Sequence, residues 1–124
     1  MEAGKKPKIL VVDDEPIIVE LIKVVLEYSG YAVSTALNGP EALKQLKASA
    51  FDLVLCDIAM PGQTGFEVFK EAQEFQNGIK FIFVSAFNNQ ENINKCMGMG
   101  AKAFLGKPFN NDDLVDVVER TLKN

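Results

Sequence analysis

The chain contains no histidine and only two cysteines among its 124 residues. Without histidine it cannot itself supply the imidazole that many enzymes use as nucleophile, general acid or general base. Cys56 and Cys96 stand alone, without CxxC spacing, which argues against a zinc site or a disulfide framework. We therefore expect both cysteines to be small core residues, and any histidine chemistry to come from another protein.

Long apolar runs and basic stretches are also missing. No run approaches the ~20 residues of a membrane span. The early lysines Lys5, Lys6 and Lys8 precede only four apolar residues, which is no secretory signal. The net charge is −4 with a pI of about 4.8, and no basic stripe alternates with aromatics as it does in nucleic-acid binders. These absences predict a cytoplasmic protein that contacts neither nucleic acid nor membrane directly.

At 124 residues the chain has the length of one domain. Short β-branched runs alternate with longer segments of helical period, which is typical of βαβ units and a parallel sheet. Five repeats of strand and helix are predicted, with strands near 8–13, 32–36, 52–57, 79–84 and 102–105. The third and fourth strands are continuously apolar, as strands covered on both faces should be.

Four of the five predicted helices are clearly amphipathic. The first begins near Pro16 and ends before Gly30, and its apolar stripe is predicted at Ile18, Leu21, Ile22, Val25 and Leu26. The second begins at Gly39–Pro40, the third carries Phe66, Phe69 and Ala72, and Asn110 or Asn111 caps the last. The fourth segment, near 88–98, is rich in asparagine and offers only Ile93 and Met97 as clear apolar positions. We expect it to be the least stable helix.

Ionisable side chains stand at the ends of three predicted strands. Asp13–Asp14 ends the first strand, Asp57 ends the third and Lys107 follows the fifth. Taken singly, an Asp of the first pair would cap a helix, Asp57 would start a turn and Lys107 would be a surface lysine. Parallel strands bring their carboxyl ends to one edge, where open α/β sheets bind ligands. Three clustered acids need a cation, and Mg²⁺ held by carboxylates and phosphate suits them, with Lys107 as a point charge for phosphate oxygens.

Ser85 ends the fourth predicted strand and brings a hydroxyl to the same edge. Taken alone, it would be a turn or cap residue. Pro108 follows Lys107, and both cis and trans forms of that peptide bond stay open at this stage.

Together these residues resemble the receiver domain of two-component response regulators over nearly the whole chain. The resemblance is carried by four segments: Ile9–Pro16, Leu55–Gly62, Val84–Ala86 and Gly100–Phe109. It implies a flavodoxin-like (βα)5 fold, in which a parallel five-stranded sheet in order 2-1-3-4-5 has helices on both faces. We expect a single receiver domain over residues 1–124, with residues 1–7 as a flexible extension. These 124 residues leave no room for an output domain, so the chain would be either a stand-alone receiver or an excised one.

The resemblance implies a role for each site residue. Asp57 would be the phosphoacceptor, and its donor a histidine kinase or a histidine phosphotransfer protein. Lys107 and Ser85 would contact the phosphoryl oxygens, while Ser85 and Phe104 would move as switch residues. Mg²⁺ or Mn²⁺ would be held by the following groups: Asp14, Asp57, the backbone carbonyl of Ala59 and, through water, Asp13. A downstream effector would bind the face made by helix four, strand five and helix five.

Two positions depart from many members of that family. Ala59 and Phe87 stand where polar side chains often orient the hydrolytic water, so slow self-dephosphorylation is expected. Phe104 replaces a frequent tyrosine, so its inward position would bury no hydroxyl.

Two other functions stay open from the sequence. A metal-dependent phosphatase with an aspartyl nucleophile would share the covalent chemistry, but the DxD pattern of such enzymes is absent at Asp57–Ala59. A receiver-like module that works without phosphorylation is the second, and the complete set of acids, serine and lysine argues against it. We expect a signalling phosphoacceptor that catalyses only its own phosphorylation and slow dephosphorylation.

Overall fold

Five strands alternate with five helices in the computed structural model, which describes residues 5–123. The strands are β1 (Lys8–Val12), β2 (Ala32–Ala36), β3 (Leu53–Asp57), β4 (Lys80–Ser85) and β5 (Ala103–Gly106). The helices are α1 (Pro16–Tyr28), α2 (Gly39–Ala48), α3 (Gly65–Phe75), α4 (Gln90–Met99) and α5 (Asn111–Lys123). Each predicted element is present, within about two residues of its expected bounds.

The strands form one parallel sheet in the order β2-β1-β3-β4-β5, which confirms the predicted topology. β1 and β3 are neighbours, with Val12 paired to Cys56, and Asp57 pairs with Val84 of β4. The winding of the chain reverses between β1 and β3. The carboxyl ends of these two strands therefore flank the crevice where doubly wound sheets bind ligands.

The central strands β1, β3 and β4 are buried on both faces, which explains why they are apolar with almost no alternation. Ile9 and Val11 face one side, where α1 and α5 contribute Ile22, Leu26 and Leu114. Leu10 and Val12 face the other side, which α2, α3 and α4 cover. Cys56 and Cys96 are both fully buried there, so the expectation that they are core residues is confirmed.

α1 carries apolar side chains around most of its circumference, and the sheet covers only part of it. Val19, Ile22 and Leu26 are buried, whereas Leu21, predicted in the buried stripe, is 43% exposed. Leu21 belongs to an exposed row that we call the α1 stripe: Ile17, Leu21, Val24 and Tyr28. The prediction for Leu21 was wrong because the spacing alone does not tell which of several apolar faces meets the sheet.

α4 is the most weakly anchored helix of the described chain. Asn89 caps it by accepting a hydrogen bond from the Asn92 N–H at 2.9 Å, and Gly100 ends it with a φ of 110°. Cys96 is its only buried residue, while Met97, predicted in the buried stripe, is 45% exposed. The prediction was wrong for Met97, because Cys96, one position earlier, faces the core instead.

The chain before β1 is joined to the sheet at Pro7, whose carbonyl accepts a hydrogen bond from the Ala32 N–H at 2.9 Å. The flexible extension was predicted over residues 1–7, and its positions 1–4 lie outside the described residues. Within residues 5–123, every helix is too short or too polar to cross a membrane.

Candidate functional site

Three carboxylates meet at the carboxyl edge of the sheet. Asp13 and Asp14 follow β1 directly, and Asp57 is the last residue of β3. One oxygen from each of the three lies within 4.8 Å of the others. Asp13 and Asp57 are buried, at 2% and 6% exposure, and Asp14 is more exposed than either. Because β1 and β3 are neighbours in the sheet, their ends bring together Asp13 and Asp57, which are far apart in the sequence.

The chain around Asp13 leaves these carboxylates free of a helix-capping role. The Asp13 N–H bonds to the Ala36 carbonyl at 3.2 Å, which extends the contact between β1 and β2. The Asp13 carboxylate accepts from the Glu15 N–H at 3.0 Å, in a tight local turn. Glu15 is the N-cap of α1 and makes no side-chain cap bond. The simpler interpretation of Asp13–Asp14 as helix caps therefore does not hold.

Lys107 supplies the nearby positive charge. Its ammonium group lies 2.7 Å from Oδ2 of Asp13 and 3.5 Å from Oδ2 of Asp57. The Oε1 atom of Glu15 lies 3.8 Å away at the exposed rim. The Lys107–Pro108 peptide bond is cis. Glu15 was not among the predicted site residues, although its place directly after Asp13–Asp14 would have allowed it to be included.

The balance of charge at the site is visible in two pKa shifts. Burial, followed by the negative charge of Asp13, raises the pKa of Asp57 to about 6, and Lys107 opposes this increase only in part. Burial alone would lower the pKa of Lys107, but its hydrogen bond to Asp13 and the charges of Asp57, Asp13 and Glu15 outweigh that effect and raise it. One lysine therefore does not fully offset the clustered acids.

Ser85 and Phe104 lie on the neighbouring strands. Ser85 is fully buried at the end of β4, one position beyond the partner of Asp57. Its hydroxyl accepts from the Phe87 N–H at 3.0 Å, so it does shape the local turn, and its carbonyl accepts from the Lys107 N–H at 2.9 Å. Phe104 is partly buried and packs against the core beneath α2, α3 and α4. Lys107 and Ser85 are thus tied together through the main chain.

The donor set fits a hard divalent cation. Carboxylate oxygens from three residues converge, and the cluster keeps excess negative charge after Lys107 is counted. Mg²⁺ and Mn²⁺ prefer such oxygen ligands, whereas thiolate or imidazole ligands would favour other metals. Ala59, predicted to add its backbone carbonyl, lies exposed two residues beyond Asp57. These residues could therefore hold a cation beside a carboxylate that is buried but still reachable.

Comparisons with known proteins agree with this geometry. The response regulator receiver domain family matches residues 9–119. The response regulator SaeR of Staphylococcus epidermidis is 36% identical over 107 residues, which is 86% of this chain and 46% of that protein. The chain thus spans about half or less of the length of the curated relatives it matches.

Solved structures show the same likeness. A CheY-like receiver domain protein from Methanospirillum hungatei superposes with a TM-score of 0.90 at 33% identity, covering 96% of this chain and 95% of that one. The response regulator TrrA of Thermotoga maritima, solved in complex with Mg²⁺ and BeF, gives a TM-score of 0.82 at 39% identity and covers 93% and 98% of the two chains.

The raised pKa of Asp57 predicts that the ionised carboxylate destabilises the folded protein. Between the ordinary value of 3.8 and about 6, the folded protein binds a proton that the unfolded chain releases, so stability falls as pH rises through this window. Without metal, Asp57→Asn should therefore raise the free energy of unfolding at pH 8 by about 3 kcal/mol, and this gain should vanish below about pH 4.

Denaturant unfolding in chelator across this pH range measures the effect. Asp116→Asn is the matched control, because Asp116 is an exposed residue paired with Arg120, and it should change stability by no more than about 0.5 kcal/mol. A wild type as stable as Asp57→Asn at pH 8 would show that the burial of Asp57 carries no electrostatic cost.

Proposed function

The chain belongs to the receiver domain family of two-component response regulators, and from that premise we propose that Asp57 is the residue that accepts the phosphoryl group. As in that family, the proposed donor is a phosphohistidine, and it must belong to another protein, a histidine kinase or a phosphotransfer protein, because this chain has no histidine. The observation that carries the proposal is the buried Asp57 carboxylate, 3.5 Å from the Lys107 ammonium and close to two further acids. We propose that residues 1–124 form a single receiver domain.

The transfer needs a nucleophile and a way to offset charge. A carboxylate oxygen of Asp57 forms the new P–O bond as the P–N bond to the donor histidine breaks, and the electron pair leaves with the imidazole. With a pKa of about 6, Asp57 is largely ionised at neutral pH and can attack. Lys107 lies close enough to Asp57 to contact the phosphoryl oxygens and to stabilise their charge. Ser85 supplies a second contact to them as it moves.

The proposed cofactor is Mg²⁺, which Mn²⁺ can replace. Asp14, Asp57 and the Ala59 carbonyl would hold it directly, and Asp13 would act through water. When bound, the cation neutralises negative charge on the phosphoryl oxygens. The Mg²⁺ and BeF complex of TrrA supports this assignment, because TrrA is 39% identical to this chain. Asp13 also holds Lys107 at 2.7 Å, which keeps the ammonium beside the reacting carboxylate.

Phosphorylation would be passed to the face made by α4, β5 and α5. Ser85 and Lys107 are joined by a main-chain hydrogen bond, so a shift at either residue reaches β5. Phe104 of β5 pairs with Phe83 of β4 and follows such a shift inward. α4 borders β5 and is held by a single buried side chain, so it can be repacked at low cost. A downstream effector protein would bind the changed face.

The α1 stripe is the proposed docking surface for the phosphohistidine donor. α1 begins two residues after Asp14, so Ile17 stands at the rim of the site and the stripe continues along the helix. Its four residues are apolar and exposed, with Ile17 at 83% and Tyr28 at 94%. A protein that brings a phosphohistidine to Asp57 must cover this rim, and the stripe offers it contiguous apolar area.

Acetyl phosphate with Mg²⁺ tests the central assignment. Intact-mass measurement should show wild type gaining one phosphoryl group, while Asp57→Asn or wild type in chelator gains none. Asp52→Asn is the matched control, because Asp52 is exposed just before the other end of β3, and it should be phosphorylated like wild type. The assignment to Asp57 fails if Asp57→Asn gains the group at the wild-type rate.

Leu21→Glu tests the α1 stripe. A charge in the apolar contact should slow transfer from a phosphohistidine protein by about tenfold or more. Phosphorylation by acetyl phosphate should not change, because a small donor needs no docking surface. Phe75→Glu on α3 is the control, since Phe75 is 41% exposed, close to the 43% of Leu21. Equal slowing by both variants, or slowing with acetyl phosphate, would contradict the docking role.

Phe87→Ala tests how long the phosphoryl group lasts. Phe87 is 58% exposed, and its N–H is bonded to the Ser85 hydroxyl, which places its main chain beside the site. We expect slow self-dephosphorylation in wild type and a half-life shortened by a factor of about three or more in Phe87→Ala, because the ring shields the acyl phosphate from water. Decay of the phosphorylated mass gives the rates, with Phe75→Ala as control. An unchanged half-life would rule out shielding by Phe87.

A further inference from the structure

Gly65, the first residue of α3, lies directly against the main chain of Asp57. A Cβ atom at position 65 would stand 2.2 Å from the Asp57 carbonyl oxygen and 3.0 Å from Cα of Ile58. Real Cβ atoms essentially never approach a neighbour closer than 3.0 Å. Both neighbours are main-chain atoms, which cannot swing aside as the tip of a side chain can. Only a glycine hydrogen fits between α3 and β3 at this point.

The same contact closes the loop 58–64, which joins β3 to α3. The Gly65 N–H donates to the Ile58 carbonyl at 2.8 Å, so the two ends of the loop are bonded to each other. The loop carries Ala59, whose carbonyl is a proposed metal ligand. The distance between the two ends of the loop 58–64 is therefore set by how closely Gly65 approaches Asp57 and Ile58.

The α3 end of this contact is itself held in place. Thr64 and Glu67 form a reciprocal capping box, in which the Glu67 N–H donates to the Thr64 hydroxyl and the Thr64 N–H donates to the Glu67 carboxylate at 2.9 Å. Such caps stabilise the first turn of a helix. Val68 and Phe69 of the next turn are buried in the core. A methyl group at position 65 would therefore force the start of α3 and the end of β3 apart, and because α3 is anchored on its other side, part of that shift would fall on the end of β3.

We propose that Gly65 is a positioning residue for the metal site. It lets α3 rest on β3 so that the Asp57 carboxylate and the Ala59 carbonyl are placed before a cation arrives. The atoms nearest to a Cβ at position 65 belong to Asp57 and Ile58, in the segment that carries both groups, whereas Asp13 and Asp14 follow β1 and are not among them. A larger residue would shift one pair of ligands relative to the other by about 1 Å, which is enough to impair a preorganised site. This inference rests on the proposed function of Asp57.

Gly65→Ala is the direct test, with Mg²⁺ alone as the probe. Titration calorimetry should show Mg²⁺ affinity reduced by about 10-fold to 100-fold relative to wild type. Gly78→Ala is the matched control, because Gly78 lies at the opposite edge of the sheet, has a φ of 84° and leaves open space where a Cβ atom would stand. It should lower the melting temperature through backbone strain yet leave Mg²⁺ affinity within about twofold of wild type. Wild-type Mg²⁺ affinity in Gly65→Ala, or an equal loss in Gly78→Ala, overturns the proposal.

A measurement on the unmodified chain decides the case if Gly65→Ala does not fold. Prepositioning requires the Gly65 amide, bonded to Ile58, to be protected from hydrogen exchange in metal-free wild type. A Gly65 amide that exchanges freely without Mg²⁺ and becomes protected only when Mg²⁺ is added would show that the cation orders the loop, which contradicts the proposal.

The outcome for wild type separates this inference from the proposed function. A wild type that neither binds Mg²⁺ nor is phosphorylated by acetyl phosphate contradicts the assignment of Asp57. A wild type that does both, beside a Gly65→Ala variant with the same Mg²⁺ affinity, contradicts the positioning role alone.

Discussion

The ion pair between Lys107 and Asp13, with Asp57 beside it, is the interaction on which the rest of this structure depends. It joins the ends of β5, β1 and β3, and it is possible only because the strand order places β1 next to β3. Three acids this close repel one another and share one lysine, and the pKa of Asp57 stays near 6 because burial, followed by the charge of Asp13, raises it while Lys107 opposes that increase only in part. The protein therefore keeps a deficit of positive charge at its edge. A divalent cation would make up that deficit, and only then could Asp57 take on the further negative charge of a phosphoryl group.

The same residues connect the site to β5 and α4. The Lys107 N–H is bonded to the carbonyl of Ser85, so the lysine and the proposed hydroxyl contact cannot move independently. Ile82–Ser85 of β4 pair with Ala103–Gly106 of β5, and Phe104 belongs to this paired segment. A displacement of Ser85 or Lys107 would therefore be passed to Phe104. α4 contacts β5 and has one buried side chain, fewer than any other described helix.

Much of this could be predicted from the sequence, for physical reasons. Strands buried on both faces must be apolar throughout, so their limits can be read directly, and acids at their ends must lie at one edge of a parallel sheet. The exposure of Leu21 and Met97 could not be predicted, because it depends on which of several apolar faces a neighbour covers. The importance of Gly65 was also hidden, since a close approach between α3 and β3 is a property of packing. The strand order came from resemblance to a known family and not from periodicity.

Amide hydrogen exchange across the chain, before and after phosphorylation by acetyl phosphate and Mg²⁺, tests most directly whether Asp57 is the input of a switch. The account predicts that without phosphate the amides of α4 exchange faster than those of α1. After phosphorylation the largest changes should fall in α4, β5 and α5. Faster exchange in α1 than in α4 beforehand, or changes that do not concentrate on these three elements, would contradict it.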